Sequence, residues 1–521
     1  MAVIRKYPVG IQNFEEIRNG GYLYVDKTAL IYELVQMKYY FINRPRWFGK
    51  SLLISTLAAY FEGKKELFKG LAIDSLETEW RHYPVLRFDF STGKYGDVKR
   101  LEDDINNKLL EYEQQYALEQ SQYATNVRMR LLIRRIYEQT GCQVVILIDE
   151  YDSAMLYNVD RPEMQHSVRD MMSNLFAPIK EADPMLRFVL FTGITKFSQM
   201  SVFSELNNLM DISMLPKYEA LCGITEEELT TQMRPDIEQL AEMRHQTPEQ
   251  AHADLKAMYD GYHFSEGMTD IYNPYSLLKC LVSGKMESYW FASATPSSLI
   301  KILRGRGGEL TDLEGIRLGS DEFDIPVEER IMNPIPVMFQ SGYLTIKAAK
   351  MGASSIRYTL GFPNREVRTG FSKAFIAYIT QGAFQGRSSI ANAYEDFYED
   401  DDLAAFIEEL QMFFAAYPYD ITNKNERHYQ SVLYTLLVAF GADVRAEQTT
   451  NRGRIDIVLK MPQTIYIIEM KYDGTADEAL DQIRERGYAD GFRTDGRPVR
   501  LVGMSFSSKE RNITDWKVEC T

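Results

Sequence analysis

Four short apolar runs, at positions 39–42, 85–90, 144–148 and 188–191, constrain the fold of this chain more tightly than any other feature. The run 144–148 is Val-Val-Ile-Leu-Ile, with no polar residue to turn toward water. Helical patterns separate the runs: apolar residues recur at helical spacing over 51–63, and the charged segment 97–139 reads as largely helical. Strands apolar on both faces that alternate with helices predict a parallel sheet covered on each side.

At 521 residues the chain exceeds the size at which one core keeps growing, so two to four domains are expected. Hydrophobic residues make up 45% of it and charged residues 26%, ample for folded cores. A formal net charge of −15 excludes coating of nucleic acid through bulk electrostatics and leaves only a local basic groove open. Cys142, Cys222, Cys280 and Cys520 lie far apart with no CxxC pair, which argues against structural zinc and for reduced thiols. The first residues lack the apolar core of a signal peptide, and no run approaches the roughly 20 apolar residues of a membrane span. A cytoplasmic protein without membrane contact is expected, and the absence of a fixed-period repeat disfavours a solenoid.

The texture changes along the chain. Residues 1–215 hold the alternating strands and helices and form the expected P-loop core. Residues 216–325 read as helices separated by turn clusters such as Asp260-Gly261, Asn273-Pro274 and the glycines from 305 to 308, predicting a helical domain. Within 326–415, the run 338–346 with Tyr358-Thr359-Leu360 predicts a hairpin after helices, a helical or winged-helix-like connector. Residues 416–521 predict a separate α/β core. Its first helix, over 426–440, has Tyr429, Val432, Leu433, Leu436, Leu437 and Phe440 on one face and Gly441 as its cap. Strands at 455–459 and 465–470, a helix from Thr475 toward Arg486 and a strand at 499–504 complete the pattern.

The loop after the first run ends in Gly49-Lys50-Ser51 at a helix start. In a P-loop, backbone N–H groups and a helix N-terminus surround the phosphates, a lysine reaches the outer phosphates and a hydroxyl ligates magnesium. Arg44 stands where the consensus has its first glycine. Asp149, directly after the third run, is placed to hold Mg2+ through water, and Glu150 to activate a water. Thr192, closing the fourth run, is placed to sense the terminal phosphate; Arg46 and Leu52 complete the candidate ATP-binding set. A bare GKS also occurs as an ordinary helix start with Ser51 near the cap, and an acidic pair as a polar loop entry. The ordered combination favours a nucleotide site. Arg187 and Arg234 are available cations, neither assigned as an arginine finger.

Phosphodiester cleavage needs a metal held by carboxylates beside a cation that orients or activates water. Asp456 on one strand and Glu469-Met470-Lys471 on the next supply this set for Mg2+, with Mn2+ as the substitute. Residues two apart on a strand share a face, so Glu469 and Lys471 project together, and hairpin pairing brings Asp456 to the same side. Glu426 is a candidate for a further metal or supporting contact, and Gln482 for the water or a phosphate. The bland reading, an exposed strand face with a surface ion pair, is disfavoured because Glu469 ends an otherwise apolar strand. His428 reads as a helix-surface or packed histidine, and His263 as a turn and packing element.

The stretches YPVGIQNFEEIRNGGYLYVDKTALI, RPRWFGKSLLISTL, ILIDEYD, FTGITKFS, LCGITEEEL, YDGYHF and NPYSLL resemble the bacterial AAA-ATPase-like family. NERHYQSVLYTLL, GRIDIVL, IYIIEMK and ALDQI resemble the PD-(D/E)XK nuclease domain commonly fused to it. RPRRFGKS is the customary P-loop of those relatives, so Arg44 is typical of them and Trp47 is the variation. The resemblance implies a RecA- or AAA-like ATPase core with a helical lid and a C-terminal restriction-endonuclease-like α/β domain. It carries Lys50, Ser51, Asp149 and Glu150 over as nucleotide-site residues, and Glu426, Asp456, Glu469, Lys471 and Gln482 as the nuclease set. The expected function is an ATP-regulated, magnesium-dependent nuclease acting on DNA rather than RNA, as a homo-oligomer, in defence against mobile DNA or in DNA processing. Two alternatives stay open: a regulatory NTPase switch whose C-terminal domain binds nucleic acid or protein without cleavage, and a DNA-translocating motor.

Overall fold

A computed structural model describes residues 5–91, 95–119, 123–158, 161–196, 208–293, 313, 315–323, 334–352, 355–379, 387–416, 426–440, 442–450, 453–492 and 494–520. The chain divides into two compact units, residues 1–306 with 314–366 and residues 307–313 with 367–521.

The first unit is built on five strands: β1 (Tyr39–Asn43), β2 (Val85–Asp89), β3 (Val144–Asp149), β4 (Leu186–Gly193) and β5 (Met210–Asp211). Their order is β2-β3-β4-β1-β5, with every neighbouring pair parallel. The four apolar runs are thus the four long strands. Every residue of β1 and β3 is buried, and each large apolar side chain so buried contributes roughly 1.5–3 kcal/mol. Helices Val98–Gln115 and Thr125–Thr140 turn Leu101, Ile105, Leu109, Met129, Leu132 and Ile133 into this core. Asp97 starts the first of them by accepting from the Lys99 N–H. Sequence patterning does not reveal β5, because a two-residue partly exposed edge strand carries no apolar signature.

Further along the first unit, β6 (Ile224–Thr225) and β7 (Ile271–Tyr272) pair antiparallel beside helices Glu226–Gln232, Arg234–Arg244, Pro248–Tyr259 and Pro274–Ser283. Thr225 and Thr247 each close a capping box, and Asn273 accepts from the Ser276 N–H, so three of these helices start at a matching polar cap. Three more strands, β8 (Ile316–Gly319), β9 (Thr345–Met351) and β10 (Ile356–Gly361), form an antiparallel sheet in the order β8-β10-β9. The hairpin expected to begin at 338 starts later. Ile335–Gln340 is a helix opened by prolines, and Gly342 at φ 86° turns the chain before β9.

The second unit carries a five-stranded mixed sheet, β11 (Asp443–Thr449), β12 (Arg454–Lys460), β13 (Ile465–Tyr472), β14 (Val499–Phe506) and β15 (Ile513–Cys520), hydrogen-bonded in that order. Only β13 and β14 are parallel, joined by a crossover through helix Ala476–Glu485. Thr475 and Glu478 form the capping box that starts this helix, and Ala479, Leu480 and Ile483 are its buried face. The edge strands β11 and β15 extend the core expected from the sequence; both are rich in polar residues, as edges are. The glycine cluster at 305–308 and the helix cap expected at Gly441 lie outside the described residues. Among the described residues no helix is long and apolar enough to cross a membrane.

Candidate functional sites

In the first unit, helix Lys50–Phe61 springs from the loop that follows β1. Gly49 adopts φ 94°, a left-handed conformation that side chains disfavour, although the space around it is open. Glycine is therefore demanded there by backbone conformation rather than by packing. Lys50 is buried, its Nζ donating to the carbonyl oxygens of Arg44 (3.0 Å) and Pro45 (3.1 Å), so the loop folds around the ammonium.

Arg44, the departure from the glycine consensus, is a clamp. Its Nη1 donates to the Asn43 and Ser213 carbonyls at 2.9 and 2.7 Å, and its Nη2 to Tyr218 at 3.2 Å. The guanidinium stacks 4.2 Å from the Phe264 ring centroid. Burial pulls its pKa down to about 10, still leaving it charged at neutral pH.

A cavity of about 320 Å3, of a size that holds a small-molecule ligand, opens beside this loop. Arg46, Gly49, Lys50, Ser51, Leu52 and Glu150 all line it, together with the N-terminal residues 8–12 and Pro274, Tyr275 and Leu278. Asp149 and Thr192 are not part of that lining; they are buried and joined, with Thr192 Oγ1 donating to Asp149 Oδ1 at 2.5 Å. Burial pushes the Glu150 carboxyl above its ordinary range, Lys50 opposes the shift, and the charges of Asp149 and Asp152 add to it.

Sequence reasoning missed several residues here. Asp152, fully buried, accepts from the Ile194 and Thr195 N–H groups and from Thr195 Oγ1, fastening the end of β4 beside the cavity. A Cβ on Gly193 would lie 2.7 Å from the Asp152 carboxylate, which accounts for glycine after Thr192. Trp47 stacks on Tyr275 at 4.5 Å, and the Trp290 indole N–H donates to the Arg46 carbonyl at 3.0 Å. The signal available for the first pair was the aspartate three residues after Asp149 in ILIDEYD. Arg187 donates to the Val35 carbonyl and lies over the Phe61 and Tyr83 rings, a packing role, while Arg234 is exposed beside Glu238. His263 is a packing element, bonded to Asp270 and to the Ile346 carbonyl.

In the second unit the structure gathers Asp456, Glu469, Lys471 and Gln482. Asp456 Oδ2 accepts from the Met470 N–H at 2.8 Å, which sets it beside Glu469 across the β12–β13 pair. Gln482, on the crossover helix, donates through Nε2 to Glu469 Oε1 and accepts at Oε1 from Lys471 Nζ at 2.5 Å. Lys471 Nζ also stands 3.8 Å from Glu469 Oε1. Gln482 thus spaces the carboxylate from the ammonium. Glu426 opens helix Glu426–Ala439, and its charge raises the pKa of both Asp456 and Glu469. One turn on, Gln430 donates to the Asp456 carbonyl at 3.0 Å, a support that sequence reading did not identify.

Burial, with Glu426 repelling, pushes Asp456 up to about 6; burial and the Asp456 charge push Glu469 up to about 8. Glu469 is 2% exposed and its Oε2 has no hydrogen-bond partner. Two crowded carboxylates with an orphaned buried oxygen fit a divalent cation, whose charge would relieve their repulsion. Among the described residues no three His, Cys, Asp or Glu side chains form a metal cage. Asp456 and Glu469 could hold a divalent ion of the kind bound through one or two carboxylates and completed by water and substrate oxygens.

Sequence comparison finds a known family at each end of the chain. Residues 8–203 match the family described as predicted AAA-ATPase, and residues 424–516 match the PD-(D/E)XK nuclease superfamily. The chain belongs to the AAA-ATPase-like family and carries a C-terminal domain of the PD-(D/E)XK nuclease superfamily. One relative, an "uncharacterized protein in vnfD 5'region" from Azotobacter chroococcum mcd 1, is 35% identical over 525 residues, covering 99% of each chain.

Proposed function

We propose that this protein binds and hydrolyses ATP in its first unit and cleaves DNA phosphodiester bonds in its second, the nucleotide regulating the cut. The observation that carries the nuclease half is the convergence of Asp456, Glu469, Lys471 and Gln482 around an unpartnered buried carboxylate oxygen. A divalent cation held by Asp456 and Glu469 would supply Lewis acidity and lower the pKa of a bound water. Gln482 keeps the Lys471 ammonium near that carboxylate without collapsing onto it, leaving the lysine to orient water or a scissile phosphate. For the ATPase half, the cavity beside Lys50 presents a helix N-terminus, a lysine and the hydroxyl of Ser51 to phosphates, with Glu150 on the same wall as the candidate base. Thr192, fastened to Asp149, is the candidate sensor of the terminal phosphate, and Asp149 the candidate holder of its Mg2+. The proposal extends to a role in defence against mobile DNA, which this pairing of activities would serve.

The test is incubation of the purified protein with single-stranded DNA, double-stranded DNA and RNA, with and without ATP and with Mg2+ or Mn2+. Metal-dependent cleavage of DNA, altered by ATP, is the expected result. Binding without cleavage under every condition would replace the nuclease with a regulatory NTPase whose second unit only binds.

A further inference from the structure

Glu366 is fully buried in the first unit, in the first turn of helix Arg365–Ile379, whose sequence runs on beyond that unit. Its Oε1 accepts from the Trp290 N–H at 2.7 Å and from Ser276 Oγ at 2.9 Å. Its Oε2 is buried without a hydrogen-bond partner, a costly arrangement.

Both partners of Oε1 lead to the loop around Lys50. Trp290 donates through its indole N–H to the Arg46 carbonyl, and Arg46 lines the cavity. Ser276 follows Tyr275, which lines the same cavity and stacks on Trp47. A displacement of residues 46–47 by an entering phosphate chain therefore pulls on Trp290 and Tyr275. Both pulls converge on one carboxylate at a helix start.

We propose that Glu366 communicates occupancy of the nucleotide cavity to helix Arg365–Ile379, by way of Trp290 and the Arg46 carbonyl. The proposal rests on the nucleotide-binding reading of that cavity. It assigns Glu366 and Trp290 as positioning residues acting through the loop, with no contact to the nucleotide. Such coupling requires that the nucleotide favour one of two arrangements of the loop and that the helix start respond to which is populated.

The test is hydrogen–deuterium exchange on the full chain, with and without Mg-ATP, with binding followed by calorimetry on the same samples. Wild type is expected to show at least a threefold change in exchange over 365–379 on adding ATP. Trp290→Phe, which removes the indole donor but keeps the ring packing, should bind ATP within about threefold of wild type and lose that change. Glu366→Gln, which keeps an acceptor at Oε1, should retain it. An unchanged helix response in Trp290→Phe would overturn the link, as would ATP binding to wild type with no response in the helix. No ATP binding by wild type would overturn the nucleotide reading itself, and the link with it.

Discussion

The loop around Lys50 and the strands around Glu469 both bury charge, and they treat it in opposite ways. In the first, the ammonium of Lys50 and the guanidinium of Arg44 are taken up by backbone carbonyls, so cations are partnered before any ligand arrives. In the second, Asp456 and Glu469 repel each other, and an oxygen of Glu469 has no partner. One site holds its cations in a set of backbone carbonyls; the other is held under electrostatic tension that a cation would relieve. Stability and chemistry should therefore separate cleanly between the two units.

The largest expected effect tests that separation directly. Asp456→Ala or Lys471→Ala should reduce DNA cleavage by roughly 1000-fold or more and leave ATP binding unchanged. Lys50→Ala should give the reverse, weakening ATP binding while preserving metal-dependent cleavage measured without nucleotide. Wild-type cleavage by both nuclease-site variants would mean that the reacting groups lie elsewhere.

Next in size is the clamp. Arg44→Gly restores the general P-loop consensus, yet it strips partners from the Ser213 and Tyr218 carbonyls and removes the stack on Phe264. It should destabilise the first unit by about 3 kcal/mol, read as a lower urea midpoint with the second unit's transition unmoved. An unchanged midpoint would show that the guanidinium is dispensable.

The smallest effect concerns the tension itself. Because Asp456 and Glu469 are raised to about 6 and 8, the folded second unit binds more protons than its unfolded chain over that interval. Without metal, its stability should fall as pH rises from about 5 to about 8, and millimolar Mg2+ should oppose the loss. Glu469→Gln should flatten the slope and stabilise the metal-free unit by about 1–3 kcal/mol at neutral pH, measured by thermal melting. A stabilising wild-type carboxylate under metal-free conditions would remove the argument that the site is built for a cation.

Much of this contrast was legible in the chain. The runs around Ile42, Val145 and Leu190 announce a parallel sheet, because strands buried on both faces must be apolar throughout. Glu469 and Lys471 were identifiable because charge at the end of an apolar strand demands a reason, and strand periodicity puts the two on one face. Arg44 shows where such reading stops: from sequence it is a missing glycine, and in the fold it is a guanidinium gripping carbonyls some 170 positions away. The strands β5, β11 and β15 escaped notice for a related reason, since edge strands exchange apolar patterning for polar residues.

By itself, then, the amino-acid sequence determined the buried apolar strands, the amphipathic helices and the chemical types at each site, all of which follow from local periodicity and short-range spacing. The tertiary structure alone decided how Gln482 spaces Glu469 from Lys471, how Asp152 fastens the end of β4, and how Trp290 and Glu366 reach the loop around Lys50. Those contacts join residues that only packing brings together, and a hydrogen bond carries no trace in the spacing of a chain until the fold closes the distance.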